Sequence, residues 1–367
     1  MSTVLEFKCP CCGGKLEFDA STQKMKCPYC DSEIDVDALN KNEQILEEVG
    51  KEDNMNWEST AGTEWDDGEQ DTINVYSCTA CGGEIVADET TGATHCPYCG
   101  NPVVMTSKFS GQFKPDCVIP FSITKQQAVD ALKKHYEGKK LLPKIFKSEN
   151  HLDEIKGVYV PFWLFDADAN ASVSYKMENV RSWSDKDYMY TQTEYFTALR
   201  KGGLKFKNVP VDGASKMPDE LMESIEPFDA SKAVDFKTAY LSGFMADKYD
   251  IDDRASVPRA NERIKKSTEE AFRDTVHGYS SVQVNDSHVS LSASKAKYAL
   301  YPVWLLTTSF GGKQYLFAVN GQTGKLVGNL PVDKGLQWKY RLLYTLAFGA
   351  ASYILLWLIM NFGGGIL

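Results

Sequence analysis

The sequence predicts a multidomain α+β protein. Its expected parts are two small four-cysteine modules, a mixed α+β domain with an antiparallel sheet, and one membrane-spanning C-terminal helix. Three observations predict this. Eight of the ten cysteines fall in four C-x-x-C pairs before residue 100. From about residue 118, aromatic and β-branched runs alternate with amphipathic stretches. Residues 342–360, "LLYTLAFGAASYILLWLIM", carry no charge.

The cysteine modules are copies. "CPCCGG" at 9–14 and "KCPYCD" at 26–31 return as "CTACGG" at 78–83 and "HCPYCG" at 95–100. Cys9, Cys12, Cys27 and Cys30 match Cys78, Cys81, Cys96 and Cys99 at a constant offset of 69, both sets reading C-x2-C-x14-C-x2-C. Phe7 with Tyr76, Gly13-Gly14 with Gly82-Gly83, and Leu16 with Ile85 repeat at the same offset. The N-terminal stretch "MSTVLEFKCP" has no apolar signal-peptide core, so the thiols are expected to stay reduced and to read as metal ligands. Two thiolates on one tight knuckle approach a metal from one side, and a hairpin brings the second knuckle to the other. Four thiolates at about 2.3 Å then close a tetrahedral shell. The expectation is two zinc ribbons with rubredoxin-like knuckles and two zinc ions, zinc being favoured over iron. A closed shell has no open position and is structural, and modules of about thirty residues need such a staple to fold. Gly13, Gly82 and Gly100 supply the left-handed turn after a knuckle; Asp31 stands where the fourth glycine would be. Cys11 aligns with Ala80 and reads as a spare thiol, and Cys117 as a small buried hydrophobe.

In chain order the expected parts are ribbon 1 at 1–35, an acidic linker at 36–75, ribbon 2 at 76–106, the α+β domain at 107–335 and an apolar tail at 336–367. The linker holds two lysines against twelve acids, and much of the net charge of −10 resides there. It is expected to be mobile beyond a short helix around Ile45, Leu46 and Val49. In the α+β domain "CVIPFSI" reads as a strand. Thr124 caps a helix over "TKQQAVDALKKHYEG", with Ala128, Leu132, His135 and Tyr136 near one face and Gly138 at its end. "GVYVPFWLFDADANASVSYKM" and "YMYTQTEYFTALRKGGLKF" read as long strands, and 218–278 as helical. "SVQVN", "HVSLSA" and "YALYPVWLLTTSF" read as strands, and "KQYLFAVNGQTGKLVG" as a hairpin turning at "NGQTG". "VPFWLF" (160–165) and "YPVWLL" (301–306) both place Pro ahead of Trp, which reads as two strands of one sheet or as an old duplication.

Residues 342–360 cover roughly 28 Å as a helix, close to a bilayer's hydrocarbon thickness. Lys334, Lys339 and Arg341 lie on the N-terminal side, and Trp338, Tyr340 and Tyr344 suit the interface. The expectation is a single-pass cell-membrane protein with its N-terminal domains in the cytoplasm. The competing assignment is a buried core helix.

The paired cysteine modules with "CPYC", then "IPFSITKQQAVDALKKHYEGKKLLPKIF", "GVYVPFWLFDADA", "SIEPFD", "YLSGFMADKYDI", "YPVWLL" and "FAVNGQTGKLVGNLP", resemble a bacterial family. It is labelled TFIIB-type zinc-ribbon-containing protein and is often mislabelled a primosomal helicase. The resemblance implies a membrane-anchored partner of flotillin-like (SPFH) and phage-shock-type membrane-stress proteins, with no catalytic residues to carry over.

The expected function is a membrane-tethered platform that recruits proteins through its ribbons. Nucleic-acid binding is the alternative, and charge opposes it: neither ribbon is net basic, and the linker repels phosphate. An enzyme is not expected. "GQTGKL" at 321–326 lacks P-loop spacing and has Leu326 where Ser or Thr would bind magnesium. No H-E-x-x-H or G-x-S-x-G occurs, and no small-molecule substrate is indicated.

Overall fold

The computed structural model describes residues 7–57, 61–110 and 112–362. Residues 1–6 of the first cysteine module, 58–60 of the linker and 363–367 of the apolar tail lie outside the described residues. In chain order the elements are β1 (Glu17–Asp19), β2 (Lys24–Lys26), β3 (Glu33–Ile34), α1 (Val36–Val49), β4 (Ile73–Ser77), β5 (Glu84–Asp88) and β6 (Val104–Lys108). Then come β7 (Cys117–Val118), α2 (Lys125–Tyr136), α3 (Glu149–Leu152), β8 (Lys156–Ser184), β9 (Met189–Asp212), α4 (Asp219–Ile225), β10 (Val234–Asp235) and β11 (Met245–Asp247). Last are α5 (Asp253–Arg273), β12 (Ser281–Phe310), β13 (Lys313–Asn320), β14 (Leu326–Gly328) and α6 (Lys334–Phe362). The chain forms two compact units, each drawn from three stretches.

Unit 1 comprises Met1–Thr60, Leu164–Val211 and Asp253–Ala296. Its first module is the three-stranded antiparallel sheet β1-β2-β3. Asp35 caps α1 by accepting from the Asp37 N–H, and Leu39 of α1 packs against Cys9, Leu16 and Cys27. The rest of the unit is the long hairpin of β8 and β9 with the first half of β12, covered by α5. Ile264 of α5 packs on Ala169, Ala171 and Val289, whose small or branched side chains leave room for the helix. Part of the expected mobile linker is anchored here. Asn54 exchanges backbone bonds with Val289 and Leu291, and Trp57 Nε1 donates to Asn261 Oδ1 at 2.8 Å. The acidic composition concealed this because one partly buried tryptophan outweighs several solvated carboxylates.

Unit 2 comprises Ala61–Trp163, Asp212–Asp252 and Lys297–Leu367. Its strands stand in the order β10-β7-β12-β8-β11-β5-β4-β6, with β13 on β12 and β14 on β13. The sheet is largely antiparallel, as expected. Two pairs, β11 with β8 and β12 with β7, are parallel, each joining strands far apart in sequence. Helix α2 forms as read: Thr124 and Gln127 make a capping box, and Ala128, Val129, Leu132 and Tyr136 are buried. Trp163 and Trp304, from the two Pro-Trp strings, are buried on neighbouring strands and donate through Nε1 to Ile251 and Ile123 carbonyls.

Two expectations are corrected. The three strands read across 281–310 are one strand of 30 residues. The polar Asn285-Asp286-Ser287 interrupts the apolar pattern but not the backbone pairing. The stretch 218–278 is helical only in α4 and α5; between them the chain forms short 3₁₀ turns, β10 and β11 around Pro227 and Gly243.

Candidate metal centres

Each of the four knuckles is built the same way. The N–H four residues after its first cysteine donates to that cysteine's carbonyl: Gly13 to Cys9 at 2.7 Å, Asp31 to Cys27 at 2.9 Å, Gly82 to Cys78 at 2.8 Å, Gly100 to Cys96 at 3.0 Å. The first cysteine's own N–H donates forward, to Gly14, Ser32, Gly83 and Asn101 carbonyls. This turn requires the left-handed region, and Gly13, Gly82 and Gly100 have φ of 75°, 71° and 73°. Asp31 takes the same conformation at 55°, the strain the sequence placed there.

The knuckles bring together the eight cysteines that the sequence singled out, in two quartets: Cys9, Cys12, Cys27, Cys30 and Cys78, Cys81, Cys96, Cys99. Sulfurs lie 3.7 Å apart for Cys9–Cys30, 3.5 Å for Cys12–Cys27, 3.4 Å for Cys78–Cys99 and 3.6 Å for Cys81–Cys96. A tetrahedron of thiolates at about 2.3 Å from a metal has edges of about 3.8 Å. The quartets fit such an ion, and the separations are far too long for disulfides. Cys11 lies outside the quartet, against the small core of the first module. Cys117 is partly buried in β7, where burial pushes its thiol up to about 11.

Two supporting residues escaped the sequence reading. Ser32 Oγ lies 3.2 Å from Cys30 Sγ, and Asn101 Nδ2 donates to Cys99 Sγ at 3.4 Å. They occupy equivalent positions, so the offset of 69 contained the signal. The Ser32 hydroxyl and N–H pull the Cys30 thiol down to about 6. At Cys99 burial acts upward, but the Asn101 amide and N–H outweigh it and bring the thiol to about 7. A thiol already biased toward thiolate loses less in giving up its proton to a metal.

The modules differ in what surrounds them. In the second, Pro97, Tyr98 and Cys99 are buried within unit 2. Thr307 Oγ1 donates to the Pro97 and Tyr98 carbonyls at 2.7 and 3.1 Å. Gln314 Nε2 donates to the Cys99 carbonyl at 3.2 Å, and Lys156 Nζ to the His95 carbonyl at 2.7 Å. Burial, with the Asp247 carboxylate nearby, pushes the Tyr98 hydroxyl well above its ordinary range. In the first module Pro28, Tyr29 and Cys30 are exposed, and Tyr29 is 76% exposed against 8% for Tyr98.

The "NGQTG" string is a hairpin turn. Asn320, fully buried, accepts the Gln322 and Thr323 N–H groups on its side-chain oxygen and donates to the Ile225 and Pro227 carbonyls. Helix α6 is long and apolar enough to cross a membrane over Lys334–Asn361; its most apolar 18 residues have mean hydropathy 1.9 and are wholly exposed. That removes the buried-core-helix assignment.

No family model matches the chain, and no solved structure matches it. Over 332 residues, 90% of this chain, it is 33% identical to a curated sequence from Bacillus subtilis (strain 168), "Uncharacterized protein YdjG", covering 92% of that protein.

Proposed function

The chain belongs to the family of the uncharacterized Bacillus subtilis protein YdjG, and we propose that it is a membrane-anchored, non-enzymatic platform that recruits protein partners. The single observation that carries the proposal is α6. A helix of 29 residues whose large apolar side chains from Leu342 to Met360 all face outward is stable only in a medium that does not penalise them. Lys334, Lys339 and Arg341 at its N-terminal side favour residues before it in the cytoplasm. Zinc in both quartets folds the modules, and their surfaces provide the contacts. Membrane-stress proteins of the flotillin-like (SPFH) and phage-shock types are the partner class that the family resemblance suggests. The acidic N-terminal third disfavours nucleic acid.

Truncation before Leu342 tests the anchor. The truncated chain should leave the membrane fraction while the melting transition of the remainder stays where it was. Continued pelleting with membrane after a salt wash refutes α6 as the anchor.

A further inference from the structure

The two modules carry the same string, Cys-Pro-Tyr-Cys, on the same knuckle. In both, the tyrosine ring lies over the second glycine of the opposing knuckle, Tyr29 over Gly14 and Tyr98 over Gly83. One side of each ring is thus occupied from within the module. The other side of Tyr98 is closed by unit 2, and the carbonyls around it receive hydroxyl, amide and ammonium donors from Thr307, Gln314 and Lys156. The other side of Tyr29 is open, and the Pro28, Tyr29 and Cys30 carbonyls receive no side-chain hydrogen bond from the described residues. Unit 2 therefore displays what this knuckle surface binds: strand-borne donors for successive carbonyls and a closed socket for one ring, with the Asp247 carboxyl near its hydroxyl.

We propose that the Pro28–Tyr29–Cys30 face of the first module is the docking surface, and that its occupant is a second protein presenting such a donor-bearing strand and socket. The second module is committed to its own chain and recruits nothing. This rests on the platform reading and narrows it to one module. Charge specifies the partner further. Where the second module has His95 and Gly100, the first has Lys26 and Asp31, 4.0 Å apart at the edge of the face. The Lys156 ammonium that serves the His95 carbonyl would face Lys26 as a like charge, so the partner's socket carries an acid opposite Lys26 and a base opposite Asp31.

The test places the photo-crosslinker p-benzoylphenylalanine at position 29 or 98 of the full chain in the membranes of the cells that make it. Position 29 should give an adduct with another protein. Its yield should fall at least tenfold in the charge-reversed variant Lys26→Glu with Asp31→Lys, at unchanged metal content, and should survive Cys96→Ser. Position 98 should link only within the chain. An adduct at 29 with lipid, nucleic acid or a second copy of this chain overturns the proposal, as does one indifferent to the charge reversal or no adduct at all. Co-purification from solubilised membrane separates the two readings. Proteins retained by the full chain with Cys27→Ser as well as without it leave the platform standing and sink the first module as its docking site. A full chain that retains no protein sinks both.

Discussion

The first and second cysteine modules share their coordination geometry down to the hydrogen bonds of each knuckle, and they differ in what lies against their outer face. In the second, the Cys-Pro-Tyr-Cys turn is buried in unit 2; in the first it faces solvent. A metal shell is a local structure. All of its ligands fall within 22 residues, and the metal repays the entropy of closing so short a loop. Docking is not local: the groups that seat the second module come from positions 156, 307 and 314. Two copies of a metal-folded hairpin can therefore diverge in role without any change at the metal.

Removing one ligand from each module breaks the comparison most severely. Losing a thiolate forfeits much of the roughly 10–16 kcal/mol that a structural zinc supplies. Cys96→Ser should lower the main calorimetric transition of unit 2 by many degrees, because its sheet loses the module packed against it. Cys27→Ser should leave that transition in place and appear as new protease cleavage before residue 36. In both variants bound metal should fall by one ion per chain by elemental analysis. Equal loss of melting temperature would mean that the modules are energetically alike.

An intermediate effect should come from Asp247, buried in β11 close to Tyr98. Burial raises its carboxyl to about 7, with the Asp250 charge adding to the shift. A folded-state value above the ordinary value near 4 means that the folded protein holds a proton that the unfolded chain releases between the two. The associated stability is fully present below about pH 4 and is lost as pH rises through 7. Over pH 6 to 8, where the thiolate shells keep their metal, the unit 2 transition should fall by several degrees. Asp247→Asn should flatten that slope and raise stability at pH 8. A slope unchanged by the substitution removes Asp247 as its source.

The smallest effect sharpens the contrast. A Cβ on Gly14 would lie 2.6 Å from the Tyr29 ring, and one on Gly83 would lie 3.3 Å from the Tyr98 ring. Contact distance alone makes Gly14→Ala the worse change. Tyr29 is free to swing into solvent, whereas Tyr98 is held on every side. Gly83→Ala should therefore cost about 1–2 kcal/mol in denaturant unfolding and Gly14→Ala only a few tenths. The reverse order would show that Tyr29 is pinned despite its exposure.

The same distinction between local and distant interactions governs what was legible in the sequence. The quartets were readable because each is written in one short repeat, and α6 because nineteen uncharged residues need no tertiary context. Helix α2 and the Asn320 turn were readable from their caps and turn residues. The asymmetry between Tyr29 and Tyr98 was not, since the same four letters surround both. Nor was the anchoring of Trp57, whose partner Asn261 lies 204 residues away. The length of β12 was hidden because Asn285 and Asp286 are exposed positions on a continuous strand rather than its end.

The chain passes between its units at 60/61, 163/164, 211/212, 252/253 and 296/297. A ribosome delivers it in one direction, at roughly 5–20 residues per second. The second module is complete once Cys99 emerges, but Thr307 follows roughly two hundred residues later, on the order of 10–40 s at that pace. During synthesis, then, the second module waits with its knuckle as bare as the first, and only Lys26 and Asp31 against His95 and Gly100 would tell the two faces apart. The second face is covered only when the strand carrying Thr307 arrives, shortly before the apolar helix that begins at Lys334.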